Sequence, residues 1–80
     1  MNTEQKVRTY ILENFMFTDD ESLLNDDDSL QEKGLIDSTG LLEVITFIED
    51  EFGVKVADSD MTPDNLDTVN NIVKYVSSRT

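Results

Sequence analysis

Ser38 follows Asp37 at the point where a polar, irregular stretch gives way to apolar residues at helical spacing. A serine there can cap the helix or act as a nucleophile. The second role needs a base within hydrogen-bond reach, and the chain has no His, leaving Lys or a carboxylate at no recognisable spacing. Ser38 is therefore not self-activated, and a hydrolase built on it would have to turn over without any added group. With no Cys either, thiolate chemistry, disulfides and the usual soft metal ligands are excluded. Any chemistry must be simple or borrowed.

The other candidates are carboxylates. Asp26-Asp27-Asp28 and Asp58-Ser59-Asp60 look like the start of calcium loops, which need glycine at the sixth position and glutamate at the twelfth. Those positions hold Gln31 and Asp37 in one case and Pro63 and Val69 in the other, so solvated acidic surface is the better reading. Glu49, Asp50 and Glu51 are adjacent on a predicted helix and point in different directions. An acid–base pair would need a cleft that shifts one pKa, so these read as a solvated face whose like-charge repulsion is tolerated because a partner uses it.

Charge narrows the choice of partner. Eighteen acidic and six basic residues give a net charge of −12, a field that repels nucleic acid and anionic membranes and favours basic protein surfaces. The first fifteen residues are charged where a signal peptide needs an apolar run, and no apolar stretch reaches membrane-spanning length. A soluble cytoplasmic protein with one domain over residues 1–80 is expected.

Helices must position these groups. Val7, Tyr10, Ile11 and Phe15 recur at helical spacing and predict a helix from about Thr3 to Phe15, with Asn2 and Gln5 fitting a capping box. From Met16 to Ile36 the periodicity disappears, which predicts a long loop lying across the bundle, pinned by Phe17, Leu23, Leu24, Leu30, Leu35 and Ile36. The next helix starts at Asp37-Ser38 and runs to Phe52, closed by Gly53. Leu41, Val44, Ile45, Ile48 and Phe52 form its core face, while Leu42, Glu43, Thr46, Glu49 and Asp50 lie around the other side.

After Val54 and Val56, which find no second strand of matching pattern, Pro63 can open a short helix. Asp67 reads as the N-cap of a last helix from Thr68 to about Ser77, with Val69, Ile72, Val73 and Val76 on one face. Lys74 and Arg79 suit the dipole at its end. The expected fold is all-α: three main helices, one short helix and a long first loop.

The run Gly34-Leu35-Ile36-Asp37-Ser38-Thr39-Gly40-Leu41-Leu42-Glu43-Val44, followed by Phe47-Ile48-Glu49-Asp50-Glu51-Phe52-Gly53, resembles the modification site and second helix of acyl carrier proteins. The likeness extends through Asn65-Leu66-Asp67-Thr68-Val69 to Tyr75-Val76 and covers nearly the whole chain in block order. It implies an acyl-carrier-like bundle, a non-catalytic monomer, whose Ser38 receives 4′-phosphopantetheine from coenzyme A through a phosphopantetheinyl transferase. Asp37 would sit beside the transferase contact, and the arm would supply the missing thiol. A loading ligase and downstream synthases or transferases would dock on Thr39, Leu42, Glu43, Thr46, Glu49 and Asp50 through basic surfaces. Thr39-Gly40 stands where many fatty-acid and polyketide carriers have leucine after the serine, and Leu35-Ile36 replaces the paired glycines common in peptidyl carriers. The resemblance leaves acyl and aminoacyl cargo both open. An unmodified acidic helical adaptor that retains the fold is the alternative.

Overall fold

The computed structural model describes residues 2–79, apart from the side chains of Pro63 and Asp64. Helix α1 covers Thr3–Ile11, α2 Ser38–Phe52, α3 Pro63–Leu66 and α4 Val69–Arg79. The expected all-α bundle of three main helices and one short one is what the chain forms, and no strand occurs among the described residues. Single 3-10 turns at Glu21–Leu23 and Asp58–Asp60 interrupt the connections.

The core follows from the apolar periodicity. Val7 and Ile11 of α1, Val44, Ile45 and Ile48 of α2, and Val69, Ile72 and Val76 of α4 are buried together, with α1 packed on α4 and α3 on α4. Burying side chains of this size stabilises the fold by roughly 1.5–3 kcal/mol each. Leu41 and Phe52, expected on the same face, are only half-buried at its margin. Val54 and Val56 reach the core from a segment without regular structure, which joins no strand among the described residues.

Helix α1 departs from the sequence expectation at its end. Residues Leu12–Met16 form a π turn rather than continuing the α-helix, and Phe17 closes it in the left-handed region at φ 54°. The wider turn leaves Phe15 half-buried against the core, while Phe17 projects outward, 85% exposed. The expected pin at Phe17 is therefore wrong, as is that at Leu23, which is 52% exposed. Leu24, Leu30 and Ile36 do anchor the connection, and Leu35 packs partly against the core.

Polar clasps hold the rest of this connection. The Arg8 guanidinium, largely sheltered, donates to the backbone carbonyls of Glu21 and Leu24 at 2.9 Å each and pairs with the Glu21 and Asp26 carboxylates. At the other end Asp67 accepts from Ser29 Oγ at 2.6 Å and Gln31 N–H at 3.1 Å, and its carbonyl accepts from Leu30 N–H at 2.8 Å. Asp67 thus ties the loop down instead of capping α4. Thr68 takes the cap: its hydroxyl accepts from Asn71 N–H at 3.0 Å. At the start of α1, Asn2 accepts from Gln5 N–H at 2.8 Å, but the Gln5 amide donates to Thr9 and Glu21, so the expected box is only half made.

The Arg8 clasp sets a measurable balance. A hydrogen bond with Glu4 and the Arg8 guanidinium hold Asp26 below its ordinary value against the opposing effect of burial, and the same contact with Asp26 holds Glu4 above its own. The stability that Asp26 contributes is complete above the unfolded carboxylate value of about 3.9 and is lost as pH falls through its lower folded value. Glu4 acts in the opposite sense, relieving repulsion as it protonates at higher pH. Carbon-detected titration of the carboxyls should place Glu4 above Asp26. Arg8→Met should cost about 2 kcal/mol, read as a lower urea midpoint with unchanged slope, and should speed amide exchange over residues 21–28. An unchanged midpoint would show that the loop is held by its leucines alone.

Candidate functional site at the start of the second helix

Asp37 is extended, at φ −109° and ψ −167°, and its Oδ1 accepts from Gly40 N–H at 2.8 Å, so it is the N-cap of α2. Ser38 is the first helical residue and is exposed, as is Thr39. The cap and the Asp37 carbonyl satisfy the N–H groups of Gly40 and Leu41, which leaves those of Ser38 and Thr39 uncommitted among the described residues. An exposed hydroxyl therefore stands where the helix dipole and free donors favour negative charge.

Gly40 explains how α1 reaches this end of α2. A Cβ at Gly40 would meet the Phe15 ring at 3.2 Å, so the absent side chain is where the π turn delivers that ring. A glycine inside a predicted helix was the sequence signal for this close approach.

Two open grooves flank the serine. The first, about 610 Å³, runs past Ser38 and is lined by Gln31, Ile36, Leu41, Leu42 and Met61. The second, about 690 Å³, lies between α1 and α2; Thr39, Leu42, Glu43, Thr46 and Asp50 form its α2 side. Five of the six residues singled out for docking thus share one groove. Leu42 is 58% exposed there.

Glu49, the sixth, lies elsewhere. Its carboxylate accepts from Val56 N–H at 3.1 Å, supporting the segment after α2 whose valines enter the core. Nothing in a local reading of α2 distinguishes Glu49 from Asp50, because the donor comes from beyond the helix.

The α1 side of the second groove was not singled out from the sequence. It is formed by Tyr10 and Asn14, with Phe47 of α2 beside them. Tyr10 and Phe47 stack with centroids 3.9 Å apart, and Tyr10 Oη donates to the Glu43 carbonyl at 3.1 Å. Burial first, and then the Glu43 charge, push the phenol pKa up. Phe47 falls outside the core row of α2, which was the one available sign of a separate role. Among the described residues no cluster of acids is arranged to hold a metal, and no helix is long and apolar enough to cross a membrane.

The fold and this helix start define a class: a small helical scaffold that presents its site at the surface, beside two open grooves. A family model described as a phosphopantetheine attachment site matches residues 5–76, and the chain belongs to that family. It is similar to the D-alanyl carrier protein of Abiotrophia defectiva, 34% identical over 53 residues that make up 66% of this chain and 67% of the relative. It is likewise similar to the D-alanyl carrier protein of Bacillus velezensis, 38% identical over 53 residues, 66% of this chain and 68% of that one. The protein is a non-catalytic carrier that bears a phosphopantetheine arm and shuttles acyl or aminoacyl thioester intermediates.

The two glutamates of α2 should behave differently on truncation. Glu49→Ala should lower stability by about 1 kcal/mol, because it strands the Val56 N–H. Glu43→Ala should stay within about 0.5 kcal/mol, because its carboxylate has no hydrogen-bond or ion-pair partner among the described residues and its carbonyl keeps the Tyr10 bond. Paired thermal melts check this, and equal losses would remove the structural role assigned to Glu49.

Proposed function

We propose that Ser38 carries the 4′-phosphopantetheine arm, within one carrier domain spanning the chain. The observation that supports this best is the exposure of Ser38 at the first position of α2 beside two uncommitted N–H groups. Its Oγ would attack the pyrophosphate of coenzyme A, forming a phosphodiester and releasing adenosine 3′,5′-bisphosphate, with the proton taken by the transferase. The phosphodiester would rest against the Ser38 and Thr39 N–H groups, where the dipole contributes typically 0.3–1 kcal/mol. Asp37 holds that turn in shape through Gly40, and its exposed carboxylate is within reach of an incoming enzyme. When bound, the arm supplies the terminal thiol that a chain without Cys lacks. The groove lined by Gln31, Leu41 and Met61 offers its first atoms a largely apolar bed.

The cargo we propose is aminoacyl, and specifically D-alanyl, on the strength of the two similar carriers and of Thr39-Gly40 in place of the leucine of many acyl carriers. The partners are then a phosphopantetheinyl transferase, an adenylating ligase that loads the arm and an acceptor enzyme, met in the cytoplasm by a monomer. Thr39, Leu42, Glu43, Thr46 and Asp50 form the docking surface. Leu42 supplies affinity, roughly 1.5–3 kcal/mol if fully buried, and the exposed acids supply steering and orientation at about 0–1 kcal/mol each. Weak, charge-guided contact suits a carrier that must leave each enzyme after delivery.

Intact mass after incubation with coenzyme A and a promiscuous phosphopantetheinyl transferase tests the assignment. The parent should gain the mass of the arm, and Ser38→Ala should not, while keeping its helical circular dichroism because serine is one of several groups at this helix start. A parent of unchanged mass with several transferases would support the unmodified adaptor, and labelling at another serine would move the site. Reversing Glu43 and Asp50 to Lys should slow attachment several-fold, and the parent rate should fall as salt rises. A rate indifferent to both would move docking off α2.

A further inference from the structure

We propose that Phe17 is a second docking point for the phosphopantetheinyl transferase, its exposed ring entering an apolar pocket of that enzyme while Ser38 enters the active site. The inference rests on the arm proposed for Ser38 and extends the docking surface from α2 to the end of the first helix.

Neither the core nor the turn explains a phenylalanine at this position. Its side chain is 85% exposed, more than Leu42 or Leu23, the other large apolar residues at the surface. Its backbone, at φ 54°, is the only left-handed one among the described residues other than glycine. A bulky side chain is strained there, and glycine or asparagine would close the turn without that strain. The closure is made by the backbone, the Leu12 carbonyl accepting from Thr18 N–H at 3.0 Å, and asks nothing of the ring. Phe17 thus works against the fold in two ways, through strain and through apolar surface left in water. Local strain of this kind collects at sites of function.

The register of the helices indicates what meets the ring. Lys6 pairs with Glu51 at 3.3 Å, Tyr10 stacks on Phe47 with centroids 3.9 Å apart, and a Cβ on Gly40 would meet the Phe15 ring at 3.2 Å. Positions rise along the first helix as they fall along α2, so the two run antiparallel. Phe17 lies two residues beyond Phe15, and Ser38 two before Gly40, which places the ring and the hydroxyl at the same end of the pair. The α2 docking surface begins at that end with Thr39. A net charge of −12 opposes a second copy of the chain as the cover for Phe17. Partners differ in how closely they must approach this level. A ligase or acceptor enzyme acts on the thioester at the far tip of the arm. The transferase must bring coenzyme A to Ser38 Oγ itself, so its surface closes over the end where Phe17 stands. An aromatic anchor there adds apolar contact area that depends on no charge.

Transfer kinetics on the full-length chain test this, with coenzyme A and a promiscuous phosphopantetheinyl transferase. Phe17→Gly should melt no lower than the parent, because the strain is released, yet its KM as carrier should rise about tenfold at unchanged kcat. Phe17→Asn, which also tolerates the left-handed region, should behave in the same way. Phe17→Trp should retain most of the parent KM. The ratio of the Phe17→Gly KM to that of the parent should hold as salt rises, since the ring carries no charge. An unchanged KM in Phe17→Gly would overturn the proposal, as would a raised KM accompanied by lower melting temperatures in both the Gly and Asn variants. A parent that sediments as a dimer, with Phe17→Gly a monomer, would assign the ring to a second copy instead. A parent that takes no arm would reject the Ser38 reading itself, a result distinct from equal KM values in a parent that loads.

Discussion

Everything in this fold depends on how a long irregular connection satisfies its own backbone. Between α1 and α2 the chain must bury Leu24, Leu30 and Ile36 without a regular ladder to pair the peptide groups beside them. Buried N–H and C=O groups left unpaired would each cost about as much as such a leucine gains. Arg8 and Asp67 resolve the conflict from opposite ends, one donating to two carbonyls and the other accepting from three donors. Leu30 adds a local lock, its carbonyl accepting from the N–H groups of Leu35 and Ile36. The position of Asp37, and with it the start of α2, is the downstream result.

The same economy governs charge. Arg8, Lys33 and Arg79 are engaged by acids of the irregular segments, namely Glu21 with Asp26, Asp28, and Asp60. Few cations remain for α2, which has none of its own over Ser38–Phe52. Glu51 is paired with Lys6, but Glu43 and Asp50 form no ion pair among the described residues, and an incoming basic surface would feel them over roughly 8 Å at physiological salt. The clasps that hold the loop thus concentrate the negative field beside Ser38.

Helix α2 was legible because three independent local signals agree there: the aspartate cap, the spacing of three and four, and a terminal glycine. The surface proposed for docking was legible for the same reason, since a helical period places Thr39, Leu42, Glu43, Thr46 and Asp50 on one side. What escaped depends on partners distant in sequence. Asp67 precedes a helix and looks like its cap, yet Ser29 claims its carboxylate from 38 positions away. Glu49 is turned by Val56, and the Tyr10 ring that stacks on Phe47 in the groove comes from α1. Phe17 and Leu23 misled because a stretch without a period gives no rule for which side faces in. Over five residues, too, an α turn and a π turn carry the same apolar spacing.

That π turn has a consequence for how the length of the chain can vary. A π turn is an α-helix that has absorbed one surplus residue, so the segment Leu12–Met16 is a place where the register of the first helix can be reset. Removing one residue there would restore ordinary winding and leave Val7, Tyr10 and Ile11 where they are. Everything after it would rotate by about a quarter turn, taking the Phe15 ring away from the hollow at Gly40. A lineage that lost that residue would need a side chain at position 40 to refill the space, so helix length and the identity of this one residue beside the serine should change together or not at all.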